Sequence, residues 1–198
     1  MQRCGVTLLV ALVLGLAVGC AGDDVTEPPA SAAPAAPRCP AAWRPGWQRL
    51  ANRIEAPVYC PSWLPDPLTG QIDGRWNNIH SVSKDGSYLL GFTWYEVPSG
   101  EIHVNLRGYP GSVRIPRCDG TPCFSDRGPS KRLAGTSITV YTANRGADRW
   151  HVLYAWKRDG SLYTLSEHVA APLSYRQVLR YLDRMFRGLE LIAPSASQ

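Results

Sequence analysis

Four histidines, six cysteines and one Ser-x-x-Lys run are the residues of this chain whose types and spacing could carry chemistry. Imidazoles serve as metal ligands or proton shuttles, but His80, His103, His151 and His168 make no His-Glu-x-x-His or other close pairing. His103 and His151 fall at alternate positions of predicted strands and can share a sheet face. Two ligands do not complete a site, so structural roles are expected for them, with no metal and no cofactor. Ser81-Val-Ser-Lys84 has the spacing of an acyl-enzyme nucleophile and its base. That chemistry needs a helix and partner motifs, whereas here the run enters an Asp85-Gly86 turn. A Gly-x-Ser-x-Gly elbow and a phosphate-cradling glycine loop are both missing from the sequence, and Asp23 and Asp24 lie where no cavity could tune them. No catalytic residue is expected.

The thiols are more informative. Arg3 precedes an apolar run over residues 6–18, and Ala17-Val18-Gly19-Cys20 closes it with small residues before a cysteine. That order reads as a secretory signal, too short to span a bilayer comfortably. The terminal thiol makes the segment resemble a bacterial lipoprotein signal, the other reading being an ordinary signal cut elsewhere. The resemblance implies cleavage before Cys20, a diacylglycerol and palmitate-type chains at that residue, and a protein anchored on the extracytoplasmic side of the cell membrane.

Cys4 leaves with the signal, so Cys39, Cys60, Cys118 and Cys123 remain for an oxidising compartment, where an even number reads as disulfides. Four cysteines allow three pairings. Turn residues between Cys118 and Cys123 point to that pair closing on itself, leaving Cys39 to bridge to Cys60. A four-thiolate zinc site would need close pairs on both sides, and Cys39 and Cys60 are too far apart.

The domain plan follows as 1–19 signal peptide, 20–38 a lipidated cysteine with a disordered Ala/Pro-rich tether, 39–192 one domain, and 193–198 a disordered tail. The tether has too few apolar residues to fold. About 155 residues suffice for a real core. The net charge of +5 comes almost wholly from arginine, in no basic run and with no helix-turn-helix or zinc-finger pattern. Nucleic acid is therefore excluded as an expected partner.

Patterning supplies the elements that position these groups. Trp47, Leu50, Ala51 and Ile54 recur at one-face helical spacing behind Pro45. Val58-Tyr59-Cys60 is extended, and prolines 61, 65 and 67 forbid regular structure up to Gly70. Ile79 and Val82 suggest a strand. Tyr88, Leu90, Phe92 and Trp94 alternate, as do Ile102, Val104 and Leu106, giving a hairpin turned at Pro98-Ser-Gly100. Residues 108–135 read as one long Pro/Gly/Arg loop, and strands are expected over 138–141, 150–156 and 162–165. Ser174 and Gln177 form a capping box for a last helix with Val178, Leu182, Met185 and Leu189 in one stripe. Arg176, Arg180, Arg184 and Arg187 form the opposite stripe. The fold expected is α+β: an antiparallel sheet of about five to seven strands with the N-terminal and C-terminal helices on one face.

Residues 56–65 (Ala-Pro-Val-Tyr-Cys-Pro-Ser-Trp-Leu-Pro) and the stretch from Trp156 through Gly160, Tyr163 and Leu165 to Leu173-Ser174 resemble a family of uncharacterised extracytoplasmic bacterial domains. Members are carried on lipoproteins and on some regulators of sigma-factor signalling. The resemblance covers most of the region from Trp47 to Leu191 and implies sensing or binding at the envelope. It carries over no catalytic residues.

The residues left for binding lie on the face that helices would not cover. If Ile102, Val104 and Leu106 are buried, then His103, Asn105, Arg107, Thr139 and Tyr141 share the open face, a mixture suited to a polar ligand or a protein partner. The arginine stripe could meet anionic lipid or wall polymer. The expected function is a lipid-anchored, non-catalytic binding or sensing module with the membrane and an envelope protein or polymer as partners. A carrier holding a lipid or other apolar ligand between sheet and helix is the alternative, with an envelope hydrolase third.

Overall fold

A computed structural model describes residues 36–71, 78–97, 100–143, 145 and 150–196. The signal peptide, Cys20, the tether up to residue 35, Trp76 and the last two residues lie outside the described residues.

The helical stripe behind Pro45 forms α1 (Arg44–Ile54), with Trp47 and Ala51 fully buried and Pro45 in its first turn. It stops at Glu55, whose left-handed backbone (φ 51°) returns its N–H to the last carbonyls. The chain continues as β1 (Val58–Pro61), a 3-10 turn (Leu68–Gln71), β2 (Asn78–Val82), β3 (Tyr88–Val97) and β4 (Gly100–Tyr109). Then come β5 (Arg117–Cys118), β6 (Thr121–Pro122), β7 (Asp126–Leu133), β8 (Thr136–Ala143), β9 (Trp150–Arg158), β10 (Ser161–Val169), α2 (Tyr175–Arg187) and β11 (Leu189–Ile192).

Two antiparallel meanders, β2-β3-β4 and β7-β8-β9-β10, join side by side through β4 and β10 into one seven-stranded antiparallel sheet in the order β2-β3-β4-β10-β9-β8-β7. The fold is α+β and mostly β. β10 runs through the middle and is buried at every residue. Registers place Leu90, Leu106, Leu165, Tyr154 and Val140 in one row across five strands, all buried. Trp43 and Trp47 stack on Phe92 of this face, and Phe186 of α2 meets Trp156 edge-on. Val178, Leu182 and Met185 are fully buried, and the Ser174–Gln177 capping box is formed in both directions.

Four expectations are corrected. Prolines 61, 65 and 67 do not forbid regular structure up to Gly70, since Pro61 pairs with Leu189 at the end of β1 and Leu68–Gln71 form a 3-10 turn. Residues 108–135 are not one loop, because 126–133 form the edge strand β7 against β8. An edge strand is solvated along much of its length, and only Leu133 of β7 is fully buried, so no apolar alternation announced it. Leu189 is not helical: α2 ends at Arg187, and Leu189 opens β11, which pairs with β1. β10 extends four residues past Leu165, since pairing on both sides outweighs the polar Ser166-Glu167-His168.

The cysteines pair as expected, Cys39 with Cys60 and Cys118 with Cys123. The first bridge ties the chain ahead of α1 to β1, and the second closes the β5–β6 hairpin. Beyond β11, Gln48 donates to the Ala193 carbonyl (2.8 Å), and the Ser195 N–H donates to Asn52 (2.8 Å), so these residues are tied to α1.

Candidate metal centre and adjoining cleft

The face opposite the core is set by the period of two. His168 on β10 faces His151 on β9, and the Glu167–Val104 pairing brings His103 of β4 to its other side. Three imidazoles therefore stand in one row on three adjacent strands. Ring centroids are 3.7 Å apart for His103–His168, 3.9 Å for His151–His168 and 4.9 Å for His103–His151. Nε2 of His103 and Nε2 of His151 are hydrogen-bonded at 2.8 Å, and one coordinating nitrogen from each of the three rings lies within 4.8 Å of the others. Burial pushes the His151 imidazole down to about 3, and the neighbouring His168, His103 and Arg107 push the same way. The ring is thus neutral at ordinary pH, with a lone pair to offer.

A tetrahedral ion bound at ~2.0–2.1 Å would hold its nitrogens ~3.3 Å apart, which is inside the 4.8 Å within which these ring nitrogens already lie. Three imidazole ligands would suit zinc, copper or nickel and leave a coordination position open. Thr93, buried, continues the row opposite His103.

Beside the row, a strap of residues 110–125 crosses the face. The backbone N–H of Leu162 donates to the Ser112 carbonyl (2.7 Å), and that of Cys123 donates to Pro116 (2.9 Å). Phe124 seats edge-on against Tyr141 and packs on Ala155 and Leu162. Under the strap a cavity of about 190 Å3 is lined by His151, Asn105, Arg107, Tyr109, Thr164, Ser166 and the Cys118–Cys123 bridge, among others. A second, of about 320 Å3, is lined by Thr139, Tyr141, Ser137, Lys157 and Val113 with their neighbours.

All five residues assigned to the open face lie on it, in three groups. His103 joins the histidine row, Asn105 and Arg107 line the cavity beside it, and Thr139 and Tyr141 line the second. Missed was His168. The polar alternation Thr164, Ser166, His168 carries it, but Glu167 stands at a core position on the other side and interrupts the apolar alternation Tyr163, Leu165, Val169. Glu167 is fully buried, has no hydrogen-bond partner among the described residues, and is pushed up to about 8 by burial. The arginines of α2 are exposed, and Arg184 lies 3.9 Å over the Trp63 ring. No protein-family model, curated protein or solved structure matches the chain.

Proposed function

We propose that this domain is a binding module on the extracytoplasmic side of the membrane, anchored through Cys20, and that its ligand is a divalent first-row transition-metal ion held by His103, His151 and His168. The observation that carries the reading is convergence: residues 48 and 17 positions apart bring three ring nitrogens within 4.8 Å of one another. The neighbouring rings help keep His151 neutral, and a cation coordinated by one nitrogen of each ring suits this arrangement. Both disulfides support an oxidising compartment, and the leader's resemblance to a lipoprotein signal supports the anchor. No helix among the described residues is long and apolar enough to cross a membrane. The carrier alternative is disfavoured because the space between sheet and helices is filled by Trp47, Phe92, Tyr154, Trp156, Leu182 and Met185.

The test is calorimetric titration of the chelator-stripped protein with Zn2+ and with Cu2+. One ion should bind per chain, and His168→Ala should weaken binding by at least about 100-fold, beyond the 10–100-fold effect of a merely supporting residue. Equal binding by wild type and His168→Ala would overturn the site. For the anchor, Cys20→Ala should release the protein from the membrane fraction; retention there defeats the lipid reading.

A further inference from the structure

The charge around the histidine row is one-sided. The cavity that His151 borders contains Arg107 and no carboxylate, and the second cavity under the same strap contains Lys157 and again no carboxylate. The carboxyl nearest the row by register, Glu167, points into the core on the other face of the sheet. Among the described residues the ion pairs are Arg44–Glu190, Lys131–Asp183 and Arg158–Asp159, so Arg107 has no acidic partner there. Its guanidinium shares a hydrogen bond with the Tyr109 hydroxyl, on which the Asp85 carboxylate also acts.

A dication held by three neutral imidazoles keeps its full charge, unlike one bound by thiolates or carboxylates. That charge and the exposed Arg107 guanidinium beside it act together to favour an anion entering the cleft. Asn105, Thr164 and Ser166 add neutral hydrogen-bonding groups to the same wall. The volume of about 190 Å3 equals roughly six waters, the size of an acid group with a few attached atoms.

We propose that the cleft between the histidine row and the disulfide-closed strap binds a small oxyanion, a carboxylate or phosphate group, with one oxygen on the open coordination position of the metal and another held by Arg107. The proposal rests on the metal reading above. Two parallel N–H···O bonds from a planar guanidinium fit both acid groups, which lysine cannot reproduce. The metal ion and Arg107 therefore act together to select the anionic end of a ligand.

The experiment uses the purified protein loaded with Co2+, whose visible absorption reports its ligands, titrated with sodium acetate and with inorganic phosphate. Either anion should shift the cobalt spectrum saturably: a response to acetate alone marks a carboxylate site, and one to phosphate alone marks a phosphate site. Arg107→Ala should weaken the anion at least about tenfold while leaving cobalt affinity within about threefold, and Arg107→Lys should fall between. Lys84→Ala, in the turn between β2 and β3, is the control and should match wild type. A normal cobalt spectrum that neither anion perturbs, or equal anion affinity in wild type and Arg107→Ala, overturns the oxyanion site and leaves the metal site standing. Failure of cobalt to bind overturns both.

Discussion

His103 and His151 hold their Nε2 atoms 2.8 Å apart although the whole of strand β10 lies between their own strands. Strands two places apart in a sheet are separated by ~9.5 Å, so both rings lean inward over β10. His168, rising from β10 itself, fills the space beneath them. One nitrogen must donate and the other accept, which fixes complementary tautomers in the metal-free protein. A metal ion bound there would exchange that hydrogen bond for three coordinate bonds, the donor ring's proton moving to its Nδ1.

Zinc should therefore stabilise the folded chain. At a free concentration of 100 times Kd the gain is about 2.7 kcal/mol, which for a domain of this size raises Tm by ~5–10 °C. Differential scanning fluorimetry with zinc, then with excess chelator, checks both directions. In His168→Ala the zinc-dependent shift should vanish.

Glu167 should make stability fall as pH rises. Its carboxyl keeps its proton in the fold up to about pH 8 but gives it up near 4.5 when unfolded. The unfolded chain therefore binds fewer protons between those values, and folding is progressively penalised across that window, reaching about 3 kcal/mol at pH 7. Glu167→Gln should match wild type in urea denaturation near pH 4 and exceed it by that margin at pH 7. Parallel pH profiles for the two proteins would show that burial costs this carboxyl nothing.

The disulfides should contribute unequally to stability. The Cys39–Cys60 bridge spans 21 residues and Cys118–Cys123 only 5, so chain entropy assigns about 3 and about 2 kcal/mol. Cys39→Ser with Cys60→Ser should lower the denaturation midpoint more than Cys118→Ser with Cys123→Ser. The second pair roofs the cleft, so its loss should also weaken anion binding in the cobalt assay while cobalt affinity holds.

Gly108 should resist substitution for a reason unrelated to turns. It lies between Tyr88 and Tyr163 in the core-face row, and a Cβ there would run into the Tyr88 ring. Tyr88 is almost fully buried, and its hydroxyl accepts the Tyr59 N–H (3.4 Å), so it cannot swing aside. Gly108→Ala should cost about 1–3 kcal/mol by chemical denaturation. In a Tyr88→Leu background the same change should cost less, and additive losses would place the clash elsewhere.

Legibility followed burial. The stripe of Trp47 and Ala51, the β3–β4 hairpin, the Ser174–Gln177 cap and the cysteine pairing could all be read from the chain, because each is governed by neighbours within about two dozen residues. The open face was also legible, since alternation along β4 and β8 assigns Asn105, Arg107, Thr139 and Tyr141 to one side once Val104 and Leu106 are buried. β7 was not, because a solvated edge strand has no apolar period to display. Nor was the end of β10, where Glu167 occupies a core position that alternation reserves for an apolar side chain.

By itself, then, the sequence determined the α+β class, the disulfides and which strand residues share a side. Only the tertiary structure decided that β4 and β10 are neighbours, and with that where His168 stands. Strand adjacency depends on the burial of whole faces and on backbone pairing between segments more than 50 residues apart, and no local period along the chain encodes it. The three-histidine cluster exists only through that adjacency.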